Sequence, residues 1–564
     1  MQKRPIKGKT TAASEWSCGA RLLVRSLEAQ GVKYVFGIPG AKIDRVFEEL
    51  ADSTIKLVVC RHEQNAAFIA GGIGRLTGRA GVALTTSGPG CTNLVTGMAT
   101  ANSEGDPIVA MSGAVALGDR LKQAHQSLDA VSLTRPVTKF AAEVVSPTAI
   151  SESLCNAFRA AESGRPGAAF LSLPSDVMNA ETSATVLAPA KTVALGSAPM
   201  KAIKETARML EAAKRPVLLM GMLASHPENA AAVRALLARH PMAAVSTFQG
   251  TGVLSREELG CFGGRVGLFS NQPADLLLDA ADVVVSVGFD PIEYDPALWN
   301  REHTHRVVHI DQVAADYDAA YRPAVELMGA IAATLKALTR ELKPRRSTGH
   351  EALLQEIARE REALAATAAA LPAAPVHPLR VVNEFQQILD GDVTLCLDMG
   401  SFHIWMARHL TSFRPRQLLV SNGQQTLGVA LPWAIAANLV RPSDRIISVS
   451  GDGGFLFSAM EMETAVRLRC NIAHIVWIDG SYDMVRFQAV HKYGRAAGVD
   501  FGPVDLISYA QAFGAKGFMV ETADQFSVVL RDALDMSGVV VIGVRVDYRD
   551  NHRLMESLHP GVFH

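Results

Sequence analysis

Short runs of valine, isoleucine and leucine alternate along this chain with longer alanine-rich segments. YVFGIPG, IKLVVCRHE, AGVALTTSGPG and PIVAMSGA are each an apolar run that ends in a polar turn. Runs of this kind suit short buried strands, and the alanine-rich stretches between them suit crossover helices. The pattern predicts α/β architecture with parallel sheets.

The rhythm falls into three blocks. The first covers residues 15–187 and holds the four runs just quoted. The second covers 195–343, with strands expected at PVLLMGM (216–222), AADVVVSVGFD (280–290) and RVVHID (306–311). Residues 344–377 read as a linker containing a polar, alanine-rich helix whose charge pairs suit exposure. The third block, 378–564, repeats the strand-turn-helix unit in VTLCLDMG, QLLVSNGQQTLG, RIISVSGDGG and IAHIVWIDG. Three doubly wound parallel-sheet domains are expected. Ligands on such sheets sit beyond the carboxyl ends of the strands, where the polar breaks lie.

Composition narrows the function classes. A formal net charge of −1 over 564 residues gives no global field favouring nucleic acid or an anionic membrane. The seven cysteines are scattered singly, which fits a reduced cytoplasm better than a disulfide framework. No apolar run is long enough to span a membrane. Residues 1–14 are basic without a following apolar stretch, and read as a flexible leader rather than a secretory signal.

Two breaks stand out. The run ending at Val449 leads into Gly451-Asp452-Gly453-Gly454, and the run ending at Trp477 leads into Asp479-Gly480-Ser481. The glycines expose backbone N–H groups. The following FLFSAMEMETAVRL reads as a helix whose N-terminus would attract phosphate. Asp452 alone would repel a bare phosphate. A divalent cation between them removes the conflict, and two carboxylates, a carbonyl, a water and diphosphate oxygens make an all-oxygen set suited to Mg²⁺. A Gly-Asp-Gly turn by itself is often only a turn; the second aspartate at the next strand end makes it a candidate site.

These two motifs resemble the diphosphate signature of thiamine-diphosphate enzymes. The resemblance implies that Asp452 and Asp479 bind the metal through side chains and Ser481 through its carbonyl. It also implies that Met399, Gly400, Ser401, Phe402, Gly453 and Gly454 meet the diphosphate, with Tyr482, Met484 and Val485 nearby. Glu63, after an apolar strand and before an Ala/Gly-rich helix, matches the glutamate that activates the cofactor's aminopyrimidine. Pro39, Pro89 and Asn93 are further contacts from the same block, the last two in SGPGCTN. Leu427 would support the thiazolium, and the Gln425 carbonyl would receive the amino group. In this family the pyrimidine-binding block of one subunit faces the diphosphate block of another. A homodimer with shared active sites, paired into a homotetramer, is therefore implied.

Within these enzymes the chain resembles acetolactate synthases of the catabolic, flavin-independent branch. FGIPGAKID, GMATANSEGDPIVA, QAHQSLDAV, SNGQQTLGVALPWAI, VSGDGGFLFSAMEMETAVRL and DFGPVDL carry the likeness. The implied reaction decarboxylates pyruvate on thiamine diphosphate and adds the hydroxyethyl unit to a second pyruvate, giving 2-acetolactate for an acetoin and butanediol route. Gln126 and His125 are expected at the substrate, with Gln424 and Lys42 as further contacts. Three departures from biosynthetic relatives stand out. Gln488 occupies a specificity-tryptophan position. His125 replaces phenylalanine. Val287-Gly288-Phe289-Asp290-Pro291 lacks the arginine of a flavin-holding turn. FAD and a regulatory subunit are not expected. Open alternatives are a biosynthetic FAD-containing synthase, another thiamine-diphosphate 2-keto acid decarboxylase or oxidase, and a non-catalytic metal-dependent phosphate binder.

Overall fold

The computed structural model describes residues 17–190, 195–302, 304–389 and 391–554. The leader expected at residues 1–14 lies outside the described residues. Three six-stranded sheets, parallel throughout, form the molecule, as the pattern of buried apolar runs predicts. A two-stranded antiparallel ribbon, Ser17–Cys18 with Glu181–Thr182, closes the first block.

The first and third sheets share one strand order. Numbered by sequence within each sheet, both run 2-1-3-4-6-5. In the third the series is Leu418–Val420, Val393–Leu397, Arg445–Gly451, Ile472–Ile478, Val539–Arg545 and Lys516–Val520. The winding reverses between Val393–Leu397 and Arg445–Gly451, and such a switch point opens a crevice beyond the strand ends. The central sheet runs 3-2-1-4-5-6, the dinucleotide-fold order. Its strands are β-branched and buried: Val283–Val287 reads VVVSV, with every residue inside.

Helix Glu63–Thr77 joins the first and third blocks. His62 caps it, accepting the Gln64 N–H at Nδ1 (3.1 Å), and Gly78 ends it in the left-handed region (φ 72°). Its small residues permit close approach to helix Ala430–Val440. A Cβ on Gly72 would lie 2.7 Å from the Ala436 methyl. The Arg75 guanidinium sits 4.2 Å from the centre of a Trp433 ring. One hydrophobic cluster runs through both helices and both sheets. The linker carries helix Glu351–Ala370, with only Leu354, Ile357 and Ala368 buried.

The segment after the GDGG turn differs from expectation. It forms a short helix Asp452–Phe455, a 3₁₀ turn Ala459–Glu461 and a helix Met462–Arg467, not one continuous helix. Ser458 is drawn out of helical register, since its hydroxyl bonds the Gly428 carbonyl (2.5 Å) and the Asn65 side chain (2.8 Å).

Candidate active site

Strands Arg445–Gly451 and Ile472–Ile478 pair in register, Gly451 beside Trp477, so the two aspartate breaks emerge together. Asp452 Oδ2 accepts the N–H groups of Asp479 (3.2 Å) and Gly480 (2.8 Å). Ser481 Oγ donates to Asp479 Oδ2 at 2.6 Å. Burial raises both carboxyls, and the neighbouring Asp452 and Asp483 charges help push Asp479 up to about 7. Two adjacent half-buried carboxyls, both raised by burial, suit a divalent cation. Among the described residues no group of three or more His, Cys, Asp or Glu side chains forms a metal cage, so the remaining ligands would have to be carbonyl, water or cofactor oxygens. The short antiparallel contact with Val499 and Phe501 uses the Tyr482 N–H and the Gly480 carbonyl. The Ser481 carbonyl is not taken up by that pairing.

Ser401 opens helix Ser401–His409 and donates to Asp483 Oδ2 at 2.5 Å, which brings the Met399-Gly400-Ser401-Phe402 turn to the same loop. Gly453 is required there: a Cβ would stand 2.7 Å from the Tyr482 ring. Met484 packs against the third block's core, while Val485 is exposed.

The loop at residues 421–428 lies beside this site. Gln425 adopts φ 49°, an uncommon conformation for a side-chain-bearing residue, and Gln424 is exposed next to it. A Cβ on Gly454 would sit 3.5 Å from a Leu427 methyl, so Leu427 reaches the diphosphate turn.

A second cluster forms on the first sheet. Asn93 Nδ2 donates to Glu63 Oε2 at 2.9 Å. Ser87 Oγ donates to Gln126 Oε1 at 3.3 Å, and Gln126 is held at φ 60° against the Gly88 turn. His125 and Pro39 are exposed, Pro89 starts the short helix Pro89–Thr92, and the Lys42 carbonyl lies against Gly113. Among the described residues no hydrogen bond or ion pair joins the Glu63 cluster to the Asp452 cluster of the same chain.

Three buried carboxyls that the sequence does not single out support these clusters. Glu104 ends helix Leu94–Glu104, which starts just after Asn93. Its Oε1 accepts from Ser421 Oγ, Asn422 N and Gly423 N, all at 3.0 Å. Its Oε2 accepts from Arg75 (3.1 Å) and from Gln249 of the central block. Asp398 ties the other end of the loop, accepting from Gly428 N (2.8 Å), Met399 N (2.9 Å) and Ser450 Oγ (3.1 Å); burial pushes it up to about 7. Its one sequence signal is a polar residue closing an apolar strand. Glu293 fills the first strand-to-helix turn of the central sheet. It accepts from Met222 N (2.9 Å), Asp290 N (3.0 Å) and Thr247 Oγ1 (2.6 Å), and a Cβ on Gly221 would meet it at 2.7 Å. Burial raises it to about 8.

Known proteins match the chain across all three blocks. Residues 18–133, 203–338 and 398–544 match the N-terminal TPP binding, central and C-terminal TPP binding domains of thiamine pyrophosphate enzymes. The chain is 52% identical over 547 residues to a catabolic acetolactate synthase of Raoultella terrigena, covering 97% of this chain and 98% of that protein. It is 48% identical over 546 residues to an acetolactate synthase of Bacillus subtilis (strain 168), covering 97% and 96%. The large subunit of acetolactate synthase isozyme 2 from Escherichia coli (strain K12) is 30% identical, covering 94% and 96%. With all three domains matched and near-complete coverage by these relatives, the chain belongs to the acetolactate synthases of the thiamine pyrophosphate enzyme family.

Proposed function

We propose that the protein converts two molecules of pyruvate into 2-acetolactate and CO₂, using thiamine diphosphate and Mg²⁺. The observation that carries the reading is the paired Asp452 and Asp479 break beside the switch point of a sheet whose chain also presents Glu63 on a separate sheet. Bound thiamine diphosphate supplies a nucleophilic carbon and an electron sink for decarboxylation. The protein's residues do the rest. Asp452, Asp479 and the Ser481 carbonyl hold the metal. The turns at Met399-Gly400-Ser401-Phe402 and Gly453-Gly454 seat the diphosphate, and Leu427 and Gln425 set the pose of the rings. Glu63, oriented by Asn93, shares a proton with the aminopyrimidine. Gln126 and His125 position the keto acid, with Gln424 and Lys42 at the rim.

The active unit proposed is a homodimer, paired into a homotetramer. Its support is that each chain presents two half-sites on different sheets, with large apolar groups bare in the segments that carry the Asp452 half-site. Leu456, Phe457, Tyr482 and Val485 are 47%, 46%, 38% and 56% exposed. FAD is not part of the reading: the Glu293 carboxyl group already accepts the Met222 N–H in the first turn of the central sheet, where a dinucleotide's phosphate would bind. A regulatory subunit is not part of the reading. The limits 15–187, 195–343, 344–377 and 378–564 are proposed as the structural units, since each sheet closes inside one of them. No helix among the described residues is long and apolar enough to cross a membrane, and a cytoplasmic location is proposed.

The test is the product formed from pyruvate with thiamine diphosphate and Mg²⁺ and no added flavin. Acetolactate is expected. Aldehyde, or acetate with peroxide, would move the chain to a decarboxylase or oxidase reading.

A further inference from the structure

A cleft of about 530 Å³ opens where the edge strand Phe262–Val266, the linker helix Glu351–Ala370 and the end of helix Ser401–His409 meet. None of the residues assigned above to cofactor or substrate lines it. Four guanidiniums do, one of them Arg553, which reaches Asp550 at 3.7 Å. Arg265, 4% exposed, donates to the carbonyls of Ala407 (3.0 Å) and Leu410 and to Ser412 Oγ (3.0 Å). Arg408 donates to Asn271 and to the Leu554 carbonyl (2.9 Å). Among the described residues Arg361 reaches the Phe262 carbonyl (3.3 Å) and the face of its ring. The Nε atoms of Arg265 and Arg408 are buried without a partner.

Arg265, Arg408 and Arg361 form no ion pair with a carboxylate among the described residues. Asp275, the acid whose charge reaches Arg408, is already bonded to Tyr294 Oη (2.5 Å) and Gln272 N (2.8 Å). Asp550, on the wall, is shared between His377 (3.2 Å) and Arg553 (3.7 Å), and Glu360 is exposed. Burial lowers Arg265 and Arg408 to about 10 and lowers Arg361, yet all remain cations at neutral pH. Desolvated cations without a counter-charge are costly, and a guanidinium group matches a carboxylate in shape and hydrogen bonding. Ile357, Leu364 and Leu379 add apolar surface to the lining. Its size lies within the range of small-molecule sites, and its position between blocks is typical of them.

We propose that this cleft binds a small organic carboxylate, its head on the arginines and its apolar body against Leu364. The inference does not depend on the catalytic reading. It is tested on the whole protein loaded with thiamine diphosphate and Mg²⁺, by calorimetric titration with 4-phenylbutyrate in the absence of pyruvate. One saturable site per chain is expected, with no binding of the uncharged 4-phenylbutanol. Arg361→Gln should weaken binding by about tenfold or more, the loss of one charge-assisted contact. Leu364→Trp, which fills the cleft, should abolish it. Both variants should keep the wild-type thermal midpoint and KM for pyruvate. The proposal is overturned by any of four results: no saturable binding, equal binding to Arg361→Gln, equal binding to Leu364→Trp, or binding only after removal of residues 555–564.

Discussion

At the scale of single residues, the site rests on carboxyl groups held in place by hydrogen bonds. Glu63 is half-buried at a helix start, with Asn93 on one oxygen. Replacing its acid by an amide keeps the shape and removes the proton that is shared. Glu63→Gln should therefore lower kcat for acetolactate formation by roughly 10² or more while the protein still binds thiamine diphosphate, measured by quenching of its fluorescence. Unchanged turnover would remove Glu63 from the mechanism. Asp479 was legible because it closes an apolar run beside a glycine turn. Glu104, Asp398 and Glu293 were not, because nothing local marks them. Glu104 meets its loop partners 317 to 319 positions away, and only the packed fold brings them together.

At the scale of elements, the strands were legible because β-branched residues buried on both faces leave little ambiguity. RVVHID is the observed strand Arg306–Asp311. PVLLMGM shortens to Pro216–Met220 because Gly221 turns the chain towards Glu293. The segment after Asp452 misled the reading for a physical reason: its apolar spacing is helical, but Ser458 gains more from partners on other elements than from continuing the helix. The loop at residues 421–428 depends on Glu104 in the same way. Glu104→Gln removes one of the two carboxylates on Arg75, leaving Asp106, and weakens three contacts to the loop. Hydrogen bonds to charged groups are worth about 1.5–3 kcal/mol, so a fall in kcat of roughly tenfold or more is expected at saturating cofactor. Full recovery of kcat with added thiamine diphosphate would instead point to a simple loss of affinity.

At the scale of the whole molecule, two half-sites on one chain predict complementation. A Glu63→Gln chain and an Asp479→Ala chain should each be nearly inactive. After co-expression, a mixed dimer holds one centre with both residues intact, so random pairing should restore roughly a quarter of wild-type activity. No recovery would mean that each centre is built within one chain. Stability should also respond to pH through Glu293. Its carboxyl is raised to about 8 in the fold, so the folded protein holds a proton that the unfolded chain releases above about 4.5. That contribution is complete at low pH and is lost as pH rises towards 8. The thermal midpoint of the wild type should fall more steeply from pH 5 to 8 than that of Glu293→Gln. Parallel curves would show that this group does not titrate in that window.

Helix Leu94–Glu104 gives the proposed dimer a mechanical property. Asn93, at its start, steadies the acid of one reaction centre, and Glu104, at its end, tethers the loop that serves the other. A stiff rod of eleven residues therefore spans both workplaces, and slack introduced at either tip should be felt in the neighbouring one.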